Sequence, residues 1–484
     1  MSPQAALVLV AWIPFSLYLF LRFPPQKAAI IGFIGAWLFL PQAEFFLSPL
    51  PNYTRMAAAC YGILLGALIF DAERLFSFRI SWIDLPMIVY CFCPIISQIN
   101  NNLSPISPTF NQLITWGAPY FVGRIYFSTL DGLKELAKGI FIGGLIYIPF
   151  CLIESVMGPL IHEKVYGFPA FVDWSQARRY GGWRPVVFMN HGLMVGVWMM
   201  TTALCGVWFW RAGVIPKEPS KPILKWGKWV VTASVWWLWL WKIEVGKTLQ
   251  GRAINPLVIL LFLTFVNCRS TGAWILAVTG LLILFIGSGL RSNLPMLLLA
   301  GFTALYLFSG AMGTTQTEPI LNFFESLGLS ADRVSSLAFR FHNEEILGER
   351  IRLKFLFGWG DASEYRVPGA ITDSLWIIIF GINGVVGLWS WAAAFLVPVF
   401  GFCFRYPARY WTNPNVSPAL VLVLCLNLYC IDCLLNAMVN PVFVLICGGV
   451  SGLVVKPTAN DARPSPLEIA VRARLKRREV RERD

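Results

Sequence analysis

The sequence predicts an all-α polytopic membrane protein, because most of it is apolar, little of it is charged, and its apolar stretches are long. Of its 484 residues, 57% are hydrophobic and 13% are charged, whereas soluble domains carry about 25% charged residues. Lipid offers no hydrogen-bond partner to an open backbone, so apolar stretches of roughly 20 residues cross a bilayer as helices. The composition therefore argues against a soluble globular protein.

Thirteen crossings follow from the hydropathy, within an expected range of about 12–14. We expect the first span to be retained, because no basic region precedes it and no small-residue cleavage site follows it. The membrane domain covers residues 1–455, with one long loop at 311–372 and a basic tail at 456–484. The predicted spans are residues 5–22, 28–47, 55–70, 80–98, 110–128, 136–157, 186–210, 253–268, 272–288, 293–310, 373–403, 417–433 and 435–455.

Basic residues orient these spans, since Lys and Arg are concentrated in cytoplasmic loops. An outside N-terminus puts roughly two thirds of the Lys and Arg residues in the cytoplasm, with the loop 311–372 outside and the tail inside. The side of the membrane on which the later loops lie depends on whether Trp229–Trp241 crosses it. This segment is short for a crossing and rich in Trp, a residue that prefers the headgroup level. We predict an interfacial or re-entrant helix here. The alternative, a true span, would put residues 178–184 and 333–366 on opposite faces.

Several other classes of protein find no support in the sequence. The basic tail is predicted to lie on anionic lipid, and we expect no nucleic-acid partner, because its Arg472–Arg483 stretch has no aromatic residues for base stacking. The eleven cysteines fall almost entirely inside apolar stretches, which predicts no disulfide framework. No Walker-type, GxSxG, HExxH or paired-Cys metal motif is present, so we expect no metal and no cofactor.

Arginines are the candidate binding residues, because those in the outward loops cluster although the positive-inside rule works against them. A guanidinium is always charged and gives two parallel hydrogen bonds to one phosphate, so converging arginines predict a site for a diphosphate on a lipid carrier. The alternative is that they neutralise lipid headgroups or acidic residues of their own loops. A charged residue inside a membrane span is by default a candidate functional residue. One arginine of a span therefore joins the candidate binding residues. The candidates are Arg178, Arg179, Arg184, Arg269, Arg333 and Arg340 in the loops and Arg124 in a span.

The long loop also contains the candidate general bases. His342 lies among Arg340, Glu344 and Glu345, which suits the activation of a sugar hydroxyl, although a loop histidine also serves structural roles. Glu344 is either the ion-pair partner of Arg340 or itself the base. The sequence alone does not choose between His342 and Glu344.

Three motifs together resemble the O-antigen ligase and polymerase superfamily of bacterial membrane glycosyltransferases. They are Arg269-Ser-Thr-Gly-Ala before a helix, the arginine-rich loop ending in Phe357-Gly-Trp-Gly, and Asp373-Ser at the next helix. The resemblance is spread over about residues 120–400 and implies a GT-C-like fold in the bacterial cytoplasmic membrane.

The same resemblance implies an activity and its partners. The expected reaction is metal-independent, inverting transfer or polymerisation of a glycan from an undecaprenyl-diphosphate donor to a sugar acceptor, on the outer side of the membrane. Polysaccharide-assembly proteins are the further partners that we expect. The resemblance assigns Arg269 and Arg340 to the diphosphate and His342 to the base. The competing class is a transporter of a small anion or of the lipid-linked glycan, for which we expect charges and broken helices at the membrane midplane. In the sequence, Arg124 is the only charge that we interpret as clearly buried.

Overall fold

A computed structural model describes residues 2–46, 52–170, 174–214, 245–247, 253–315, 317–326, 328 and 331–456. Within these ranges the chain is almost entirely helical, and its strands form three two-stranded antiparallel sheets. Eight described helices are long and apolar enough to cross a membrane. The prediction of an all-α multi-pass membrane protein is therefore confirmed. The segment Trp229–Trp241 and the tail beyond Lys456 lie outside the described residues.

Eighteen α-helices occur among the described residues. In chain order they are α1 (Pro3–Arg22), α2 (Pro25–Phe39), α3 (Arg55–Phe70), α4 (Ala72–Phe76), α5 (Leu85–Asn100), α6 (Ile106–Gln112), α7 (Ala118–Tyr126), α8 (Leu130–Met157), α9 (Ile161–Tyr166), α10 (Gly192–Ala212), α11 (Pro256–Asn267), α12 (Thr271–Leu290), α13 (Leu294–Met312), α14 (Glu318–Ser326), α15 (Ala331–Arg352), α16 (Leu375–Arg405), α17 (Ser417–Leu435) and α18 (Pro441–Val455). The strands are β1 (Glu44–Phe45), β2 (Tyr53–Thr54), β3 (Arg178–Arg179), β4 (Gly182–Trp183), β5 (Val245–Lys247) and β6 (Ala253–Ile254).

Each predicted span corresponds to described helix. The fifth span, 110–128, is interrupted: a π-helical turn at Leu113–Gly117 joins α6 to α7. Four further spans correspond to α2, α3, α11 and α18, which have 12 to 16 residues. These helices are shorter than the roughly 20 residues of a full crossing, so the total of thirteen crossings stays a prediction. The long loop at 311–372 contains two helices, α14 and α15, and α15 packs on α13 and α16.

Packing among α10, α12 and α17 defines the two ends of the bundle. Gly280 in the middle of α12 lies against Leu204 of α10 and Leu428 of α17. Further along, Trp208 Nε1 donates a hydrogen bond to the Trp411 carbonyl at 3.1 Å. Helices α10 and α12 therefore run parallel toward Trp411, and α17 runs the other way. We call the end that holds His191, Ser270 and Asn436 the hairpin end, and the other the Trp411 end.

Helix α11 returns antiparallel to α10. Gly206 of α10 faces Val258 near the start of α11, and Cys268 just after α11 contacts Cys151 near the far end of α8. The chain thus leaves α10 and enters α11 at the same end of the bundle. The predicted interfacial placement of Trp229–Trp241 requires this arrangement.

Helix α16 is broken in its middle, where Gly384 adopts φ 65° and ψ −168°. Backbone groups freed by such a break must find partners inside a membrane protein, because lipid provides none. Residues 355–360, which contain the Phe357-Gly-Trp-Gly motif, supply them. Backbone N–H groups of Trp359 and Gly360 donate to the carbonyls of Gly381 (2.8 Å) and Ile382 (3.0 Å), and those of Val385 and Val386 donate to Phe355 (2.8 Å) and Leu356 (3.3 Å).

Candidate functional site

A tight hairpin presents the first group of predicted arginines. Strands β3 and β4 pair Arg178 with Trp183 and Arg179 with Gly182. The two turn residues, Tyr180 and Gly181, both have positive φ, 48° and 71°. Two-residue turns of this kind match the natural twist of paired strands. The hairpin therefore fixes Arg178 and Arg179 on one short strand.

Arg269 lies against this hairpin from the connection between α11 and α12. Its Nη1 donates to the Trp183 carbonyl at 3.0 Å, and a Cβ placed on Gly182 would come within 1.9 Å of the same atom. The Arg269 carbonyl in turn accepts a hydrogen bond from Arg184 Nη2 at 3.3 Å. Two chain segments are thus joined by contacts from arginine to backbone. We call Arg178, Arg179, Arg184 and Arg269 the arginine cluster.

The arginines of this cluster have different surroundings from an arginine in a surface ion pair. Among the described residues, no carboxylate forms an ion pair with Arg178, Arg179 or Arg269. The Nε atom of Arg179 is buried without a hydrogen-bond partner in the same part of the chain. An anion with several oxygen atoms could use these donors.

The tip of the hairpin is attached to the start of α12. The ring of Tyr180 stacks on Trp274 with centroids 5.4 Å apart and an interplanar angle of 22°. Its hydroxyl shares a 2.7 Å hydrogen bond with Thr271 Oγ1. At the base of the hairpin, the carboxylate of Glu154 accepts the backbone N–H groups of Val186 (2.8 Å) and Val187 (2.6 Å). Both contacts place the arginine cluster at the hairpin end of the bundle.

Glu344 lies at the centre of a second group of polar residues, on α15. Its carboxylate accepts hydrogen bonds from Tyr306 Oη at 2.7 Å, from Trp376 Nε1 at 3.2 Å and from the Ser374 hydroxyl. Burial raises the pKa of Glu344 to about 7, although the hydrogen bonds from Ser374, Tyr306 and Trp376 and the charge of Arg340 oppose this rise. A carboxylate with this pKa accepts a proton near neutral pH.

Arg340 and Asp373 line the same small pocket as Glu344. The Nε atom of Arg340 lies 3.9 Å from Asp373 Oδ2, and the apolar walls of the pocket are Leu347, Ile371 and Ile377. Arg340 is also close enough to Asp432 of α17 for their charges to interact. We call Arg340, Glu344, Asp373 and Ser374 the carboxylate pocket.

The carboxylate pocket lies at the hairpin end as well. The backbone N–H of Leu375 donates to the Asn436 carbonyl at 3.3 Å, and Asn436 follows the last residue of α17. Because α17 ends where α10 and α12 begin, the pocket and the arginine cluster share one end of the bundle.

His342 does not enter the pocket. Its side chain is exposed, and residues two positions apart on a helix point in nearly opposite directions, so it faces away from Glu344. Of the two predicted bases, the structure places only Glu344 beside Arg340. Arg333 lies in α15, but its side chain is outside the described residues.

Arg124, which was predicted as part of the diphosphate site, does not join the arginine cluster. It is buried at the end of α7, where its Nε and Nη2 atoms contact Asp84 Oδ1 and Oδ2 at 2.6 and 2.9 Å. Helix α8 starts there and ends beside Glu154 after 28 residues, a length of about 40 Å. Arg124 therefore lies at the Trp411 end and already has an anionic partner.

Sequence reasoning missed several residues of the site. Asp432 interrupts an apolar span, and that was a usable signal, since charges in spans mark sites. Tyr306 gave no signal, because a tyrosine in an apolar helix is unremarkable. The expectation that Arg124 is the only buried charge is wrong, because the described residues also bury Arg55, Asp84, Glu154, Arg184 and Asp432.

No group of His, Cys, Asp and Glu suited to a metal ion occurs among the described residues. A comparison with protein-family models gives no match. A comparison with curated proteins gives none either.

Proposed function

We propose that this chain is a membrane glycosyltransferase of the O-antigen ligase or polymerase type. It transfers or polymerises a glycan from an undecaprenyl-diphosphate donor to the hydroxyl of an acceptor sugar, without a metal or cofactor. The hairpin end faces the outer side of the bacterial cytoplasmic membrane, and the tail lies in the cytoplasm. Polysaccharide-assembly proteins are the expected further partners.

One observation carries this proposal: Arg178, Arg179 and Arg269, for which the described residues provide no carboxylate partner, share one end of the bundle with Glu344, whose pKa is raised to about 7. Glycosyl transfer from a diphosphate needs both. Charge develops on the departing diphosphate, and fixed donors aimed at that charge stabilise the transition state. The acceptor hydroxyl must lose its proton, and a base whose pKa lies near the working pH is best suited to take it.

Each residue then has a chemical role. Arg178, Arg179 and Arg269 donate hydrogen bonds to the diphosphate, and Arg184 positions Arg269 through its carbonyl. Ionised Glu344 takes the hydroxyl proton while the acceptor oxygen bonds to the anomeric carbon, with inversion. The bond from that carbon to the diphosphate oxygen breaks, and its electron pair leaves with the carrier.

The hydrogen bonds of Glu344 leave one of its acceptor sites for this step. An ionised carboxylate has about four lone-pair sites, and three protein donors use three of them. The fourth remains for the acceptor hydroxyl. Arg340 lies next to Glu344 and favours its ionised form.

A transporter is the alternative, and the break in α16 is the feature that favours it, because transporters place broken helices at their binding sites. In this chain, however, residues 355–360 take up the backbone groups on both sides of the break. Those groups are therefore not open to a substrate, and the broken helix is better explained as a closed structural joint.

The test uses purified protein in detergent, a polyprenyl-diphosphate glycan, an acceptor and a chelator, with released carrier diphosphate as the readout. Glu344→Gln should lower the rate about 10²–10⁴-fold, the usual contribution of general-base catalysis, while donor binding persists. Glu345→Gln, on the exposed neighbouring residue, is the matched control and should keep the rate.

Two results would contradict the proposal. The first is a normal rate in Glu344→Gln together with a large loss in His342→Ala, which would move the base to the exposed histidine. The second is donor binding without turnover, combined with movement of the donor across sealed vesicles, which would make the chain a transporter.

A further inference from the structure

Two cations of the long loop lie over one indole ring, outside the arginine cluster and the carboxylate pocket. The guanidinium carbon of Arg350 is 4.4 Å from the ring centroid of Trp359, and Lys354 Nζ is 4.3 Å from it. Trp359 is only 9% exposed, and its backbone N–H donates to the Gly381 carbonyl in the α16 break. A buried ring thus contacts two like charges.

Neither charge is neutralised by a carboxylate of the described residues. In the part of the chain that the structure describes, no carboxylate forms an ion pair with Arg350 or Lys354, and both side chains are exposed. A guanidinium stacked on a ring keeps its N–H donors in its own plane. The ammonium group has three donors, one of which bonds to Asn101 Oδ1. Several charged donors therefore remain for an anion.

The surroundings indicate a lipid rather than a free anion. Leu353 and Leu356, on either side of Lys354, are 69% and 58% exposed. Basic residues flanked by exposed apolar side chains are typical of surfaces that lie in the headgroup layer. We propose that Arg350 and Lys354, seated on Trp359, bind the headgroup phosphate of an anionic bilayer phospholipid, with Leu353 and Leu356 against its acyl chains.

This site has a structural consequence of its own. Trp359 belongs to the segment that closes the break in α16, so a bound lipid stabilises that closure as well as its own contacts. The inference is independent of the proposed enzymatic activity, because it concerns residues outside the arginine cluster and the carboxylate pocket.

The test is a thermal unfolding series on delipidated full-length protein in a zwitterionic detergent, titrated with phosphatidylglycerol, phosphatidylcholine or inorganic phosphate. Phosphatidylglycerol should raise the melting temperature more than either of the others. Arg350→Gln and Lys354→Gln should each raise the half-saturating lipid concentration about fivefold, as expected for one basic residue at an anionic surface, and the double variant should lose most of the shift. Arg409→Gln is the matched control, because Arg409 also lies over a ring, that of Tyr410 at 4.9 Å, but at the Trp411 end.

The proposal is overturned if the single variants titrate like the wild type, or if Arg409→Gln weakens the shift equally. It is also overturned if inorganic phosphate stabilises as strongly as phosphatidylglycerol, since that result would identify a free-anion site. Native mass spectrometry of the single variants gives a second readout if the double variant fails to fold. Retention of phosphatidylglycerol equal to that of the wild type would again contradict the proposal.

Discussion

Arg124 and Arg269 are the same residue type at opposite ends of one helix bundle, and their environments differ in kind. Arg124 is buried and forms two hydrogen bonds to Asp84, whose other contacts include the Tyr120 hydroxyl at 2.8 Å. Arg269 donates to a backbone carbonyl, and no carboxylate pairs with it among the described residues. The first charge is cancelled within the protein, whereas the second is positioned but retained.

This difference separates structural charges from functional ones in a membrane protein. A buried charge that lacks a partner is expensive, so a paired arginine in a helix serves folding and insertion. An arginine that is held by carbonyls keeps its charge available to a ligand. The comparison predicts that damage at the Trp411 end lowers stability, and that damage at the hairpin end lowers activity.

The largest effect is expected from Asp84→Asn, which leaves Arg124 buried without an anionic partner. Breaking one side of a buried pair costs about 3–5 kcal/mol, so most of the protein should fail to fold or unfold at much lower temperature. The measurement is the folded yield in membranes together with thermal unfolding in detergent. Asp131→Asn, on an exposed residue in the first turn of α8, is the control. Equal stability of the two variants would show that the pair is not structural.

A smaller effect, on activity alone, is expected from Arg269→Lys. An ammonium group cannot reproduce two parallel hydrogen bonds to a phosphate, and a hydrogen bond to a charged group is worth about 1.5–3 kcal/mol, or roughly 10–150-fold in rate. Transfer should fall by this factor while the melting temperature changes little. Arg291→Lys, in the connection after α12, should leave transfer unchanged. If Arg269→Lys lowers stability instead, Arg269 belongs with Arg124 as a structural charge.

The smallest effect is the pH dependence of stability and transfer that Glu344 causes, which further separates effects on stability from effects on activity. Its pKa rises from an ordinary 4.5 to about 7 in the folded protein, so the folded state holds a proton that the unfolded state releases. The stability from this proton is complete below pH 4.5 and is lost as the pH rises through about 7. Transfer should change in the opposite direction, because only the ionised base is active. Melting curves and rates between about pH 5 and 8 measure both.

Glu344→Gln provides the control for the pH series, because its side chain does not titrate. Its melting temperature should depend less on pH than that of the wild type, whereas Glu345→Gln should keep the wild-type slope. An unchanged slope in Glu344→Gln would assign the pH dependence to another group.

Hydropathy located the helices well, because a span must be apolar along most of its length whatever its neighbours are. The break at Gly384 was not predicted, although Asn383-Gly384 is a dipeptide that favours turns. The break depends on pairing with residues 355–360. The sequence shows the Phe357-Gly-Trp-Gly motif in that segment but not that its backbone pairs with α16. A backbone contact between separate chain segments leaves no local pattern.

The candidate site was predictable where position along the chain is sufficient. Arg178 and Arg269 precede spans that enter from the same end, so their grouping followed from topology. The pairing of Arg124 with Asp84 could not be predicted, because Asp84 is 40 residues away and only the fold brings them together. The choice between His342 and Glu344 required knowledge of which face of α15 packs on α13 and α16.

The joint at Gly384 also bears on how the protein is made. The two halves of α16 cannot complete their backbone hydrogen bonds alone, and each unpaired group in hydrocarbon costs several kcal/mol. Residues 355–360, which complete them, are synthesised earlier, so this segment must already be in place when α16 enters the bilayer. Assembly of this helix therefore depends on the earlier segment as a template. With a shortened or misplaced loop, α16 would still insert, but the backbone groups at its break would stay unpaired. The defect would then be a site for quality-control proteases and not the loss of a helix.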